Sequence, residues 1–106
     1  MKEIFNSERI IKNEKIDDYL LSSDKPKGKY FLSKNFDKES LITVLKNHFT
    51  IENYISEREN SFGINLVFEG NIICPNNQEI TLRSIWHLPF SSNSIIFVTA
   101  YRIKND

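Results

Sequence analysis

Cysteine is all but missing from this chain of 106 residues, in which Cys74 stands alone. A single thiol excludes an intramolecular disulfide and a thiolate metal cluster, and at the end of an apolar stretch it reads as a small hydrophobe. Histidine is nearly as scarce, with only His48 and His87, and their placement suits neither zinc ligation nor a nucleophile–histidine pair. Glycine and proline number three each, which leaves no glycine-rich phosphate loop and no low-complexity tract. Net charge is missing too. Fourteen Lys and Arg balance fourteen Asp and Glu, so no global field draws the protein onto nucleic acid or membrane. No hydrophobic run approaches a membrane span, and the opening "MKEIFNSERI" lacks the apolar core of a signal peptide. These absences set the expectation of a cytoplasmic protein with no metal, no cofactor and no membrane partner.

The residues present describe an ordinary globular chain. Forty per cent of them are hydrophobic, enough for one modest core, and we expect one domain over residues 1–106. Within it the pattern predicts an N-terminal arm over 1–14, a helical part over 15–50 and an antiparallel sheet over 51–103. The arm carries a short strand near Arg9 to Lys12. Ile16, Tyr19 and Leu20 fall at helical spacing and predict a first helix ending before Pro26. "DKPKG" reads as a loop and "KYFLSKNF" as a short helical piece. The clearest element is "FDKESLITVLKNHF", with Asp37 as N-cap and Phe36 and Leu41 spaced as a hydrophobic staple. Leu41, Val44, Leu45 and His48 form its stripe.

After Thr50 the period turns from helical to alternating. "IENYISER", "FGINLVFEGNIIC", "EITLRSIWHL" and "SIIFVTAYRI" predict four strands joined by short turns at "PNNQ" and "PFSSN". Phe62, Ile64, Leu66 and Phe68 share one face of the second, and Gly70 marks a bend or bulge. Helices followed by a run of strands predict an α+β fold, with N-terminal helices packed on one face of a four-stranded antiparallel meander. The last strand is apolar on both faces, as a central or well-covered strand would be.

In "TLRSIWHL", residues 81–88, Leu82, Ser84, Trp86 and Leu88 point one way and Thr81, Arg83, Ile85 and His87 the other. Trp86 belongs with the core. His48, on an apolar helix stripe, reads as a packed structural histidine, and His87 as a solvent-facing one. Asp17 and Asp18 are the solvated side of the first helix. Arg83 is the unusual residue, a cation in the middle of an interior-looking strand. Simple pairing across the following turn sets it near Thr99. It either makes a cross-strand pair with a carboxylate such as Glu69, or binds phosphate through its planar fork of donors. The sharpest charge bias along the chain is "KPKGKYFLSK", where Lys25, Lys27, Lys29 and Lys34 come with no acid among them.

Three stretches, "KIDDYLLSSDKPKGK", "GNIICPNNQEITLRSIWHL" and "IIFVTAY", resemble an uncharacterised bacterial domain family of about a hundred residues. That family has a YLL…G…K front block and a TPDG…VRTVW…VTAYP rear block, and the match runs in order from residue 15 to residue 101. The resemblance implies a toxin-like setting and a layout similar to the barnase/colicin/RelE-like ribonucleases. It implies packing roles for Tyr19, Leu20 and Leu21, a loop position for Gly28, and motif positions for Lys29, Arg83, Trp86, Thr99 and Tyr101. Where the family has a histidine before proline this chain has Lys25, and the family's final proline is Arg102.

Two functions are expected from the resemblance. The first is a metal-independent endoribonuclease of a bacterial toxin system, with RNA as substrate and a cognate antitoxin or immunity protein as partner. RNA cleavage by 2′-hydroxyl attack needs a base, an acid and cations around the phosphate. The expected catalytic residues are Lys29, Arg83 and Thr99, with a lysine moving the proton. Lys25, Lys27 and Tyr101 are the expected binding residues. The second is a non-catalytic interaction module, an inactive toxin-like or immunity-type protein. Loss of the family's histidine weighs toward this second reading.

Overall fold

A computed structural model describes residues 4, 5 and 7–103. Positions 1–3 and 6 of the expected arm, and residues 104–106, lie outside the described residues. In chain order the elements are β1 (Arg9–Ile10), α1 (Asn13–Lys15) running into a π-helical turn (Ile16–Leu20), α2 (Pro26–Ser33), α3 (Lys38–His48), a 3-10 turn (Ile51–Asn53), β2 (Tyr54–Glu59), β3 (Gly63–Ile73), β4 (Glu79–Pro89) and β5 (Ile95–Ile103). The fold is α+β, and its sheet is five-stranded and mixed, in the order β1-β5-β4-β3-β2. This corrects the expected four-stranded antiparallel meander. The four long strands are antiparallel neighbours, but β1 adds a fifth, parallel to β5 through the pairs Arg9↔Ile95 and Ile10↔Ile96. The short strand expected near Arg9 does form, at Arg9–Ile10, but two residues carry no sign of which strand they pair with, and the partner lies at the other end of the chain.

The expected helix at Asp37 forms as its chemistry dictates. The Asp37 carboxylate accepts from the Ser40 backbone N–H at 2.8 Å, while Ser40 Oγ accepts from the Asp37 N–H at 3.0 Å. Those two bonds close a capping box. On its inner side α3 buries Leu41, Leu45 and His48. The segment "DKPKG" is not the loop its composition suggests. Pro26 opens α2, a first-turn position where its fixed φ and missing N–H carry no penalty. At the other end of α2, Asn35 takes a left-handed φ of 68°. Its N–H bonds the Leu32 carbonyl at 3.0 Å and the Phe36 N–H bonds the Phe31 carbonyl at 3.3 Å, a Schellman closure. The Phe31 and Phe36 rings complete it, 5.8 Å apart.

The core gathers where α3 meets the sheet. Trp86 is fully buried, with Phe49 at 5.3 Å and Phe97 at 5.2 Å edge-on to its ring. Buried polar groups beside it are satisfied. Trp86 Nε1 donates to Ser84 Oγ at 3.1 Å, Ser84 Oγ lies 2.7 Å from His48 Nδ1, and His48 Nε2 lies 3.3 Å from the Gly70 carbonyl. One proton arrangement fits all three: Nε2–H donates to Gly70, and the serine hydroxyl donates to Nδ1. Burial lowers the His48 pKa, against the smaller raising effect of backbone hydrogen bonds.

Several local expectations change. Pairing of β3 with β4 is unbroken at Gly70, which therefore marks a close approach rather than a bulge. A Cβ there would sit 2.2 Å from Asn53 Oδ1. Ile51–Asn53 form a turn instead of strand because the Asn53 side chain donates back to the His48 carbonyl at 3.1 Å. Phe62 precedes β3 and is exposed. The bulges lie elsewhere, one in β2 between Tyr54 and Ser56 and one opposite the Ile85/Trp86 step of β4.

Candidate functional site

Strand alternation places Thr81, Arg83, Ile85 and His87 on the sheet face opposite Trp86. Register then sets Arg83 between Glu69 of β3 and Tyr101 of β5. Arg83 Nε donates to Glu69 Oε2 at 2.6 Å, a second guanidinium nitrogen donates to the same oxygen, and the third donates to the Tyr101 hydroxyl at 3.2 Å. The guanidinium carbon also lies 5.8 Å from the centre of the Tyr101 ring. Hydrogen bonds to Tyr101 and to Glu69 raise the Arg83 pKa, so the group holds its charge more firmly than a free arginine. The cross-strand carboxylate pair expected as one of two alternatives is present.

Thr99 stands opposite Ile85, a diagonal neighbour of Arg83 rather than its direct partner. Simple hairpin pairing is off by two residues. The turn already sets Trp86 opposite Phe97 and His87 opposite Ile96, one step away from it. Val98, an extra residue between Phe97 and Thr99, adds the second, so that Ile85 meets Thr99 and Arg83 meets Tyr101. The lysine segment does reach this part of the sheet, through Lys27. Lys27 Nζ donates to Thr99 Oγ1 at 2.9 Å and lies 5.4 Å from the Tyr101 ring centre. Tyr101 thus stands between two cations, Lys27 from α2 and Arg83 from β4.

Lys25, just ahead of α2, lies 5.6 Å from the Tyr19 ring, and Lys15 lies 5.9 Å from the same ring. Lys29 is exposed, two residues past Lys27 and so on another side of α2, and its side chain has no hydrogen bond or ion pair among the described residues. Gly28, expected in a loop, is buried inside α2, where a Cβ would meet the Ser22 carbonyl oxygen at 1.7 Å. Arg102 lies 5.1 Å from the Tyr30 ring. His87 is half-buried rather than solvent-facing, its Nδ1 2.7 Å from Asn65 Oδ1. Asp17 and Asp18 are exposed as expected, and Asp17 pairs with Lys38 at 3.0 Å.

The residue misassigned most clearly is Tyr19. A 3.6-residue period groups it with Ile16 and Leu20, yet those two are buried while Tyr19 is 52% exposed. The cause is the π turn, whose Leu21 N–H bonds the Ile16 carbonyl at 2.8 Å, five residues back. The wider turn takes Tyr19 off the inward stripe. Its four-residue spacing from Lys15 was the available signal. Among the described residues, no group of three or more His, Cys, Asp or Glu side chains could hold a metal ion. None of their helices is long and apolar enough to cross a membrane.

The chain belongs to the family of a domain of unknown function, DUF6883, whose model matches residues 3–104. No curated protein matches it. Among solved structures it is similar to a chain of a contact-dependent growth inhibition toxin–immunity protein complex from Klebsiella pneumoniae 342, with a TM-score of 0.66 and 16% identity. The likeness covers 89% of this chain and 99% of that one. At that identity the two share a fold.

Proposed function

We propose that the protein is an RNA-directed domain of a bacterial toxin–immunity system, acting as a metal-independent endoribonuclease at the Arg83 face of its sheet. The observation that carries this reading is the 2.9 Å bond between Lys27 Nζ and Thr99 Oγ1, which brings a helix lysine onto the face that holds Arg83 and Tyr101. Two cations, a hydroxyl and a phenol on one open surface suit a phosphodiester, and the carboxylate beside them suits proton abstraction. In this scheme Glu69 takes the 2′-hydroxyl proton, and the 2′-oxygen bonds phosphorus as the bond from phosphorus to the 5′-oxygen breaks. Lys27 gives that leaving oxygen a proton, and Arg83 and Thr99 hold the charged phosphoryl oxygens. The toxin-system setting draws on the fold shared with a chain of a toxin–immunity complex, at 16% identity.

A non-catalytic module of such a system is the second reading, and a specific observation favours it. Arg83 is already engaged by Glu69 and Tyr101, as a structural strut would be. One assay separates the two. Purified protein at micromolar concentration should cleave total RNA in the presence of EDTA, leaving 2′,3′-cyclic phosphate ends, and Arg83→Ala should remove that cleavage. Intact RNA, together with harmless expression of the wild-type chain, would decide for the interaction module.

A further inference from the structure

Beside the Lys27–Thr99 contact lies a pocket of about 340 Å³, lined by Lys15, Tyr19, Leu20, Lys27, Val98 and Thr99 among others. Three features of the fold converge on it. The π turn presents Tyr19 as a half-exposed ring at its rim, and π turns are frequent at functional sites. The bulge at Val98 forms part of its floor, a device that re-aims strand side chains next to sites. Finally, β1 pairs with β5 at Ile95 and Ile96, so past Ile96 the outer edge of β5 runs by the pocket without a strand neighbour among the described residues. The chemistry is uneven across the cavity: Leu20 and Val98 give it an apolar side, Lys15 and Lys27 line it as cations, and Lys25, outside the lining, approaches the Tyr19 ring beside Lys15.

An apolar slot with an aromatic platform and a cationic rim, touching a phosphate-competent hydroxyl, has the makeup of a nucleotide site. We infer that this pocket is a nucleobase subsite, in which Tyr19 stacks a base of single-stranded RNA next to the phosphate held by Lys27 and Thr99. Lys15 and Lys25, which lie near the Tyr19 ring at 5.9 and 5.6 Å, move from the ring to the flanking phosphates when the base arrives. Stacking accepts any base, so the subsite gives affinity and register with little sequence preference. The proposal deepens the RNA reading and rests on it.

The test uses the full chain and a short 2′-O-methyl oligouridylate, which cannot undergo 2′-hydroxyl attack, so binding is read apart from cleavage. Tyr19→Ala should weaken binding on the order of tenfold and Tyr19→Phe should leave it unchanged, because the ring and not the hydroxyl does the stacking. A Tyr19→Trp variant supplies a second readout. Its added emission should be quenched by the oligonucleotide, whereas Trp86, fully buried, contributes a constant background. If wild type binds and Arg83→Ala weakens it, but Tyr19→Ala binds as wild type or Tyr19→Trp emission does not respond, the subsite is wrong and the RNA reading stands. If wild type shows no binding at low salt, the RNA reading fails and takes the subsite with it.

Discussion

On β4, Leu82, Ser84 and Trp86 are fully buried, while Arg83, Ile85 and His87, alternating with them, are only half-buried on the opposite face. The two sets are made by one strand and one register, yet their chemistry differs throughout. The Trp86 side is aromatic and aliphatic, and its polar groups form a closed chain through Ser84, His48 and the Gly70 carbonyl. The Arg83 side carries an ion pair, hydroxyls and amides that reach water. Alternation lets the chain hold the fold with even-numbered residues of β4 and sets the odd-numbered ones on the face of the proposed site. Substitutions on the two faces should therefore separate stability from activity, and each prediction below tests that division.

The largest effect belongs to the buried face. Trp86→Ala should cost about 3–5 kcal/mol, since it opens a cavity among Phe49 and Phe97 and leaves the Ser84 hydroxyl short of a donor. Urea denaturation measures it. A midpoint near wild type would mean that the ring is not part of the core and that the contrast between faces is misdrawn.

Gly28→Ala should come next, at about 1–3 kcal/mol. Its new methyl would lie 1.7 Å from a backbone oxygen, Ser22 O, which cannot swing aside as a side chain would. Because α2 must shift to accommodate it, the bond from Lys27 to Thr99 should loosen as well. This is the one position where a stability change is expected to reach the open face, and RNA cleavage should fall with the melting temperature. Unchanged cleavage at reduced stability would uncouple α2 from the site.

The buried face should also impose a pH dependence. Burial lowers the His48 pKa in the folded protein below its ordinary value of about 6.5. The unfolded chain therefore binds the proton more readily, and stability rises with pH wherever it does. The contribution should be present above about pH 6.5 and should decline as pH falls from there toward the folded pKa, by less than about 1.4 kcal/mol per pH unit. His48→Gln should flatten that decline in a series of denaturation curves. A wild-type stability that holds level between pH 7 and pH 5, to about a few tenths of a kcal/mol, would count against the closed His48 chain.

The division between faces was readable in the sequence to an uneven degree. Local signals served best: Asp37, Phe36 and Leu41 announce α3 through capping and stapling, and strict alternation in β4 separates Arg83 from Trp86. Pairing that depends on distant segments was not readable. Nothing in Arg9 and Ile10 says that they join β5 in parallel, and nothing in "SIIFVTAY" says that Val98 is bulged, which supplies one of the two residues by which Thr99, expected opposite Arg83, is displaced to stand opposite Ile85. The basic stretch from Lys25 to Lys34 was visible as a bias, but the lysine that reaches the sheet depends on where α2 begins. Pro26 as first residue of the helix aims Lys27 at Thr99 and leaves Lys29 exposed elsewhere. Tyr19 was lost to a helix period that the π turn does not keep.

Arg83→Ala should have the smallest effect on stability, and that smallness is the sharpest test of the comparison. The Arg83 and Glu69 side chains retain 37% and 25% of their exposure, so their pairing competes with water and is screened by salt. An ion pair of this kind contributes roughly 1 kcal/mol or less, several times below the cost of Trp86→Ala. Activity should respond in the opposite proportion. A phosphoryl group gathers charge in the transition state, and removing a fixed cation from it costs on the order of a hundredfold or more in rate. Arg83→Lys should recover little, because a single ammonium cannot reproduce the fork that now spans Glu69 and Tyr101. Melting temperature and RNA cleavage measured on the same preparations decide the matter. If Arg83→Ala lowers the melting temperature as much as Trp86→Ala does, the arginine is a strut of the fold. The open face would then be a second structural face rather than a site.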